Sequence, residues 1–182
     1  MLKLLLGRLL RRPLTETAPM ASTDALAELG RRVDAASGVR LGRSLAIRAV
    51  DAGSCNGCEL EIHALNNSLY DLERFGIRFV ASPRHADVLL ITGPVTVNMA
   101  EAVRRTFEAT PAPKWVVATG DCAVDGGLFR GSYAVLGGVE AVVPVDLYLS
   151  GCPPSPQRLL EGLLALLETP PIGPDRQMER TT

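Results

Sequence analysis

Aromatic side chains are scarce in this sequence, at 4% of 182 residues, with a single Trp and only two His. No apolar run approaches the ~18 to 20 residues that a membrane-crossing helix needs, so no bilayer span is expected. Charge of one sign does not dominate either. The net charge of -1 excludes the polybasic character of a nucleic-acid-binding chain, and no nucleic-acid partner is expected. Also missing are a Ser-His-Asp set, a phosphate-binding glycine loop and an open His/carboxylate metal site, which leaves little for bond-making catalysis. What remains is an ordinary globular composition, 47% hydrophobic and 21% charged. The length suits one domain with extensions and is short for two.

Charge is nevertheless unevenly spread. Residues 1–43 hold eight Lys/Arg against four Asp/Glu, net +4, and the remainder eleven against sixteen, net -5. Leu2, Leu5, Leu6, Leu9 and Leu10 recur at helical spacing beside Lys3, Arg8, Arg11 and Arg12. This predicts a short basic amphipathic helix over residues 1–13, stopped by Pro13, that could lie on an anionic membrane surface, dock on a partner or fold back on its own domain. Its charges follow its apolar residues and no small-residue cleavage site comes after, so it does not read as a signal peptide and a cytoplasmic location is expected. A linker follows, then a helix over Asp24–Ala36 with Asp24 as N-cap, and a loop over Gly38–Arg43.

From Ser44 the pattern alternates. Strands are predicted at Leu45–Val50, Ile77–Ala81, Ala86–Thr92, Lys114–Thr119 and Val142–Leu149, and helices at Glu59–Phe75, Asn98–Ala109 and Pro156–Glu168. Alternating strands and helices argue an α/β fold with a mostly parallel sheet, and runs such as Val88-Leu-Leu-Ile91 are apolar on both faces, as strands covered by helices on both sides must be. The expected organisation is an extension (1–43), one domain (44–168) and a flexible tail (169–182) rich in Pro and charge.

Four cysteines carry the chemical signal: Cys55-x2-Cys58, Cys122 after 63 further residues, and Cys152 after 29 more. Cys55 and Cys58 follow the first predicted strand, Cys122 the fourth, and Cys152 the last. In a parallel sheet the carboxyl ends of the strands share one edge, so all four thiols are expected to converge there. Glycines in Gly53-Ser-Cys-Asn-Gly-Cys, Gly120-Asp-Cys and Ser150-Gly-Cys-Pro-Pro would let backbone approach a bulky group. Four thiolates suit an iron-sulfur cluster or a tetrahedral zinc; a CxxC redox pair with two bystander cysteines, or plain buried thiols, are the other readings. One close pair and two separate cysteines on different strand ends favour the cluster.

Ser54-Cys-Asn-Gly-Cys-Glu-Leu-Glu61, Glu73-Arg-Phe-Gly-Ile77, Ser82-Pro-Arg-His-Ala-Asp-Val-Leu-Leu90, Thr92-Gly-Pro-Val-Thr96 and Val145-Asp-Leu-Tyr-Leu-Ser-Gly-Cys-Pro-Pro154 resemble the small subunit of membrane-bound energy-converting [NiFe]-hydrogenases, that of formate hydrogenlyase included. The wider family holds the 20 kDa complex I subunit that carries its terminal cluster. The resemblance runs from about Ala46 to Leu167. It implies a flavodoxin-like domain holding one [4Fe-4S] cluster, with Cys55, Cys58, Cys122 and Cys152 as ligands. It also implies as partners a hydrogenase-type large subunit, a ferredoxin-like iron-sulfur subunit and integral membrane subunits, and a peripheral place on the cytoplasmic side of the membrane. The complex I type has adjacent cysteines and an acidic residue that would fall at Ser54-Cys55 and at Cys58. With Ser54 and Cys58 instead, this chain sides with the hydrogenase type. The flavin site a flavodoxin-like fold invites is not expected, because the cysteine motif takes the place of a phosphate loop.

Glu59 and Glu61 sit beside the motif at a helix start, where a carboxylate could relay protons or simply complement the helix dipole. His63, one turn on from Glu59, could tune a cluster's potential or simply pack. Arg84 and His85 are expected at the surface or against a partner, and Asp121 and Asp125 to shape the loop around Cys122. The rival functions are a complex I-like oxidoreductase subunit whose large partner lacks nickel, and, from another class, a zinc-stabilised scaffold.

Overall fold

The apolar, β-branched runs form five strands, and the computed structural model describes residues 23–168. They are β1 (Ala46–Asp51), β2 (Arg78–Phe79), β3 (Val88–Thr92), β4 (Trp115–Thr119) and β5 (Leu147–Leu149), all parallel in the order β2-β1-β3-β4-β5. That is the flavodoxin-like order, in which the chain reverses its direction of travel across the sheet after β2. Because parallel crossovers are right-handed, the reversal puts successive connections on opposite faces. The helices are α1 (Thr23–Leu41), α2 (Gly57–Ala64), α3 (Val97–Ala109), α4 (Asp121–Asp125) and α5 (Pro156–Glu168).

Two apolar layers result. On one face Leu45, Ile47, Leu90 and Val117 of the sheet region meet Val33 of α1, Ile62 of α2 and Leu159, Leu160 and Leu163 of α5. On the other, Val50, Leu89, Ile91 and Val116 meet Ala100 and Val103 of α3 and Ala123 of α4. β3 and β4 are buried along their whole length, as helices on both sides require. The α/β expectation is met, and α5 spans the predicted residues.

Several boundaries move, each for a local reason. α1 continues through Gly38 to Leu41 where a loop was expected, and Asp24 lies inside the helix rather than before it. Its last turn is anchored by Arg40, whose Nη1 donates to the carbonyls of Leu166 and Leu167 at 2.9 and 2.8 Å and whose guanidinium stacks 4.8 Å over Trp115. The helix predicted to Phe75 stops at Ala64, because Asn67 Oδ1 accepts from the backbone N-H groups of Leu69 and Tyr70 and turns the chain; only a 3₁₀ turn, Leu72–Phe75, follows. The last strand is three residues rather than eight. Pro144 offers no ladder donor, and Asp146 Oδ2 takes the Val116 N-H instead. The expectations for residues 1–13 and 169–182 lie outside the described residues. Among those described, no helix is long and apolar enough to cross a membrane.

Candidate metal centre

Three loops at the carboxyl edge of the sheet carry the cysteines. After β1 the chain turns on Asp51, whose Oδ1 accepts from Gly53 N-H (2.8 Å) and Ser54 N-H (2.7 Å). Ser54 Oγ then accepts from Asn56 N-H, and Asn56, at φ 71°, starts α2 with Cys58 in its first turn. After β4, Gly120 leads into α4, which carries Cys122. After β5 comes Gly151-Cys152-Pro153, with a cis peptide before Pro153. Asp121 binds the last two loops together: its N-H donates to Gly151 O (2.9 Å) while its Oδ1 accepts from Gly151 N-H (2.7 Å). The loop-shaping role expected of Asp121 is therefore seen in its hydrogen bonds. Asp125 likewise accepts from Gly127 N-H and pairs with Arg130.

The four thiols are brought close enough to act on one another. Burial pushes the Cys58 thiol up to about 12, helped by the charge of Glu59 and by Cys122, Cys55 and Cys152. Cys122 is also raised, by burial first and then by Cys152, against the pull of a hydrogen bond from the Leu128 backbone; Cys55 and Asp121 add to the rise. Cys55 and Cys152 are exposed, Cys58 and Cys122 half-buried, and all are free thiols. Among the described residues no three His, Cys, Asp or Glu side chains are drawn in to the spacing of one shared metal ion.

Clearance is built in where the sulfurs sit. A Cβ on Gly120, at φ 90°, would lie 2.6 Å from Cys58 Sγ, and one on Gly127 3.0 Å from Cys122 Sγ. A side chain at Gly120 would have to push the Cys58 sulfur aside, and one at Gly127 would crowd that of Cys122. A donor set of four thiols, with glycine backbone held against two of them, fits an anionic iron-sulfide group, since thiolates are its usual ligands.

Glu59 turns inward, and Thr92 Oγ1 donates to its Oε1. Its Oε2 is buried with no protein partner, as is Thr119 Oγ1 on the adjacent strand, in register with Thr92. Glu61 is half-buried on α2, while His63 is exposed on its last turn; neither is among the charges acting on Cys58 or Cys122. Thr92 and Thr119 were not singled out from the sequence. The signal was there in Val88-Leu-Leu-Ile-Thr and Trp115-Val-Val-Ala-Thr, two apolar strands that each end on a threonine followed by glycine.

Comparison with known proteins places the chain in a family. The chain is 48% identical over 132 residues to formate hydrogenlyase subunit 7 of Escherichia coli (strain K12), covering 71% of this chain but 52% of that protein. It thus spans about half the length of that relative. It is 46% identical over 128 residues to the probable membrane-bound hydrogenase subunit mbhJ of Pyrococcus furiosus, covering 70% of this chain and 77% of the relative. Among solved structures, a chain of the membrane-bound sulfane sulfur reductase, an archaeal respiratory membrane complex, superposes with a TM-score of 0.62 at 36% identity, over 76% of this chain and 74% of that one. Residues 55–166, which contain all four cysteines, match the family described as NADH ubiquinone oxidoreductase, 20 Kd subunit, and the chain belongs to that family.

Proposed function

We propose that Cys55, Cys58, Cys122 and Cys152 hold one [4Fe-4S] cluster, and that this chain is the electron-transfer subunit beside the catalytic site of a large subunit in a membrane-associated [NiFe]-hydrogenase complex. The supporting observation is that four thiols from three separate loops follow the carboxyl ends of parallel strands at one sheet edge, with glycine backbone against the Cys58 and Cys122 sulfurs. Bound there, the cluster would supply one-electron chemistry with little rearrangement. The chain's own contribution is the frame: Asp121 locks two of the cysteine loops, Leu128 N-H donates to the Cys122 sulfur, and Thr92 fixes Glu59 beside Cys58. Glu59, with Glu61 and His63 as further candidates, is then placed to tune the cluster or hand on a proton.

On this reading the partner large subunit interconverts hydrogen with protons and electrons, and this chain carries the electrons to or from a ferredoxin-like iron-sulfur subunit. Residues 44–168 form the cluster domain, peripheral to integral membrane subunits on the cytoplasmic side, with residues 1–13 meeting lipid or protein. The family description supports a second reading, a complex I-like subunit whose large partner has no nickel. Ser54 and Cys58 favour the first.

The test is to purify the complex anaerobically through a tag on this chain and quantify iron, acid-labile sulfide, nickel and zinc per copy. Iron and sulfide with nickel support the hydrogenase reading, and without nickel the complex I-like one. Zinc alone would overturn electron transfer, as would a Cys122→Ser variant that keeps both its cluster signal and hydrogen-dependent dye reduction.

A further inference from the structure

Most arginines in this fold are matched. Arg31, Arg32, Arg74, Arg104, Arg105 and Arg130 each lie against a carboxylate. Arg48, Arg78 and Arg84 face no carboxylate among the described residues, and all three belong to one corner of the sheet; Arg158, on α5, also faces none but lies apart from it. Arg48 stands in the middle of β1, aligned with Leu89, and so on the face of the Leu89–Val116 layer. Arg78 opens the edge strand β2, aligned with Ala46, which is two residues from Arg48 and therefore on the same face. Residues 80–87 return from β2 to β3 and must cross β1, which lies between them. That crossing carries a 3₁₀ turn, Pro83–His85, packed against α3, with Arg84 and His85 exposed. Only this turn stands where a helix would otherwise cover β1.

Arg48 is half-buried, and its Nε is buried without a partner. A buried donor left without a partner is costly, and a carboxylate is the acceptor that best matches the edge of a guanidinium. Neither Asp87 nor Glu101 is spare to supply it. Asp87 is fully used, accepting from Arg43 at 2.5 and 3.1 Å and from Ala46 N-H at 2.9 Å, and Glu101 on α3 is divided between Arg104 and Arg105. Nor does the corner reflect overall composition, since the chain from residue 44 onward is net negative, eleven Lys/Arg against sixteen Asp/Glu.

We propose that Arg48, Arg78, Arg84 and His85 form a docking site for an acidic segment of another protein subunit, with one partner carboxylate closing on the Arg48 guanidinium. Carboxylates match the guanidinium fork in a bidentate manner. Arg48 is half-buried with its Nε covered, while Arg78 and Arg84 are exposed, so the group that reaches it must be a protruding side chain, which a protein supplies and a layer of lipid headgroups does not. The inference rests on the chain working within a complex and is independent of which metal group the cysteines hold.

The experiment uses the complex isolated through a tag on this chain. Arg78→Lys and Arg84→Lys keep the charge and add an amine, so that a zero-length carbodiimide can join them to a touching carboxylate. Expected are links from position 78 or 84 to an Asp or Glu of another subunit, mapped by mass spectrometry. Links confined to this chain, or none while other subunits cross-link in the same sample, would overturn the proposal. In parallel, Arg78→Glu with Arg84→Glu, both at exposed positions, is expected to lower retention of the partner subunit about tenfold or more. Unchanged retention overturns the proposal, and so does unchanged retention with loss of binding to vesicles of anionic lipid, which would assign the corner to a membrane. Iron and sulfide measured on the same preparations report on the cluster separately, so either conclusion can fail without the other.

Discussion

At the scale of single residues, the cysteine edge depends on positions that carry no metal-binding chemistry themselves. Gly120 has φ 90° and ψ 154°, a region essentially restricted to glycine, and its missing Cβ leaves room for Cys58 Sγ. Gly120→Ala is therefore expected to cost about 1–3 kcal/mol in backbone strain and to displace the Cys58 sulfur. The check is urea unfolding of the variant together with its iron and sulfide content, both of which should fall. Thr92 is the second such position. Thr92→Val keeps the strand's shape but removes the donor to Glu59 Oε1 and leaves a half-buried carboxyl with neither oxygen bonded to protein. A loss of about 1–3 kcal/mol is expected, read from the denaturant midpoint, whereas Thr92→Ser should recover most of it. The threonine itself was visible in the sequence, but its meeting with Glu59, 33 residues earlier, was not. That contact exists only because α2 lies across the end of β3.

At the scale of elements, the ends of helices and strands are decided by side chains that compete with the backbone. α3 is closed by Lys114, whose Nζ donates to the carbonyls of Phe107 and Thr110 and lies 3.9 Å from the centre of the Phe107 ring. Burial depresses the Lys114 pKa, only partly offset by Glu108. Its proton is thus held less tightly in the folded chain than in the unfolded one. The penalty is fully present below the folded pKa and is relieved as pH rises from there to the ordinary lysine range, so this group makes stability rise with pH in that window. Chemical denaturation from neutral to alkaline pH should show that increment, and Lys114→Met should abolish it. The long strong patterns, α3, α5, β3 and β4, were readable because their apolar spacing agrees with their burial. β5 and the end of α2 were not, because Pro144 with Asp146 and the Asn67 side chain act through hydrogen bonds that hydropathy does not register.

For the whole molecule, the core and the cysteine edge are separate sources of order. Leu159, Leu160 and Leu163 of α5 are almost fully buried against the sheet, although the helix begins soon after the Cys152 loop. Leu163→Ala is expected to destabilise the fold by about 2–5 kcal/mol, and the metal-free chain should feel it as strongly as the loaded one. Thermal unfolding of both forms checks this: a variant whose loss appears only in the loaded form would show that the core and the cysteine edge are not independent. The sequence by itself determined the α/β class, the apolar strands and helices and the four-cysteine set with its family resemblance, because hydrophobic periodicity and motif spacing are local properties of the chain. The tertiary structure alone decided that Glu59 is held by Thr92, that Asp121 joins two cysteine loops, that α1 is prolonged by Arg40, and that three unmatched arginines share one corner. These are contacts between residues far apart in the chain, set by strand order and crossover handedness, and no local pattern encodes them.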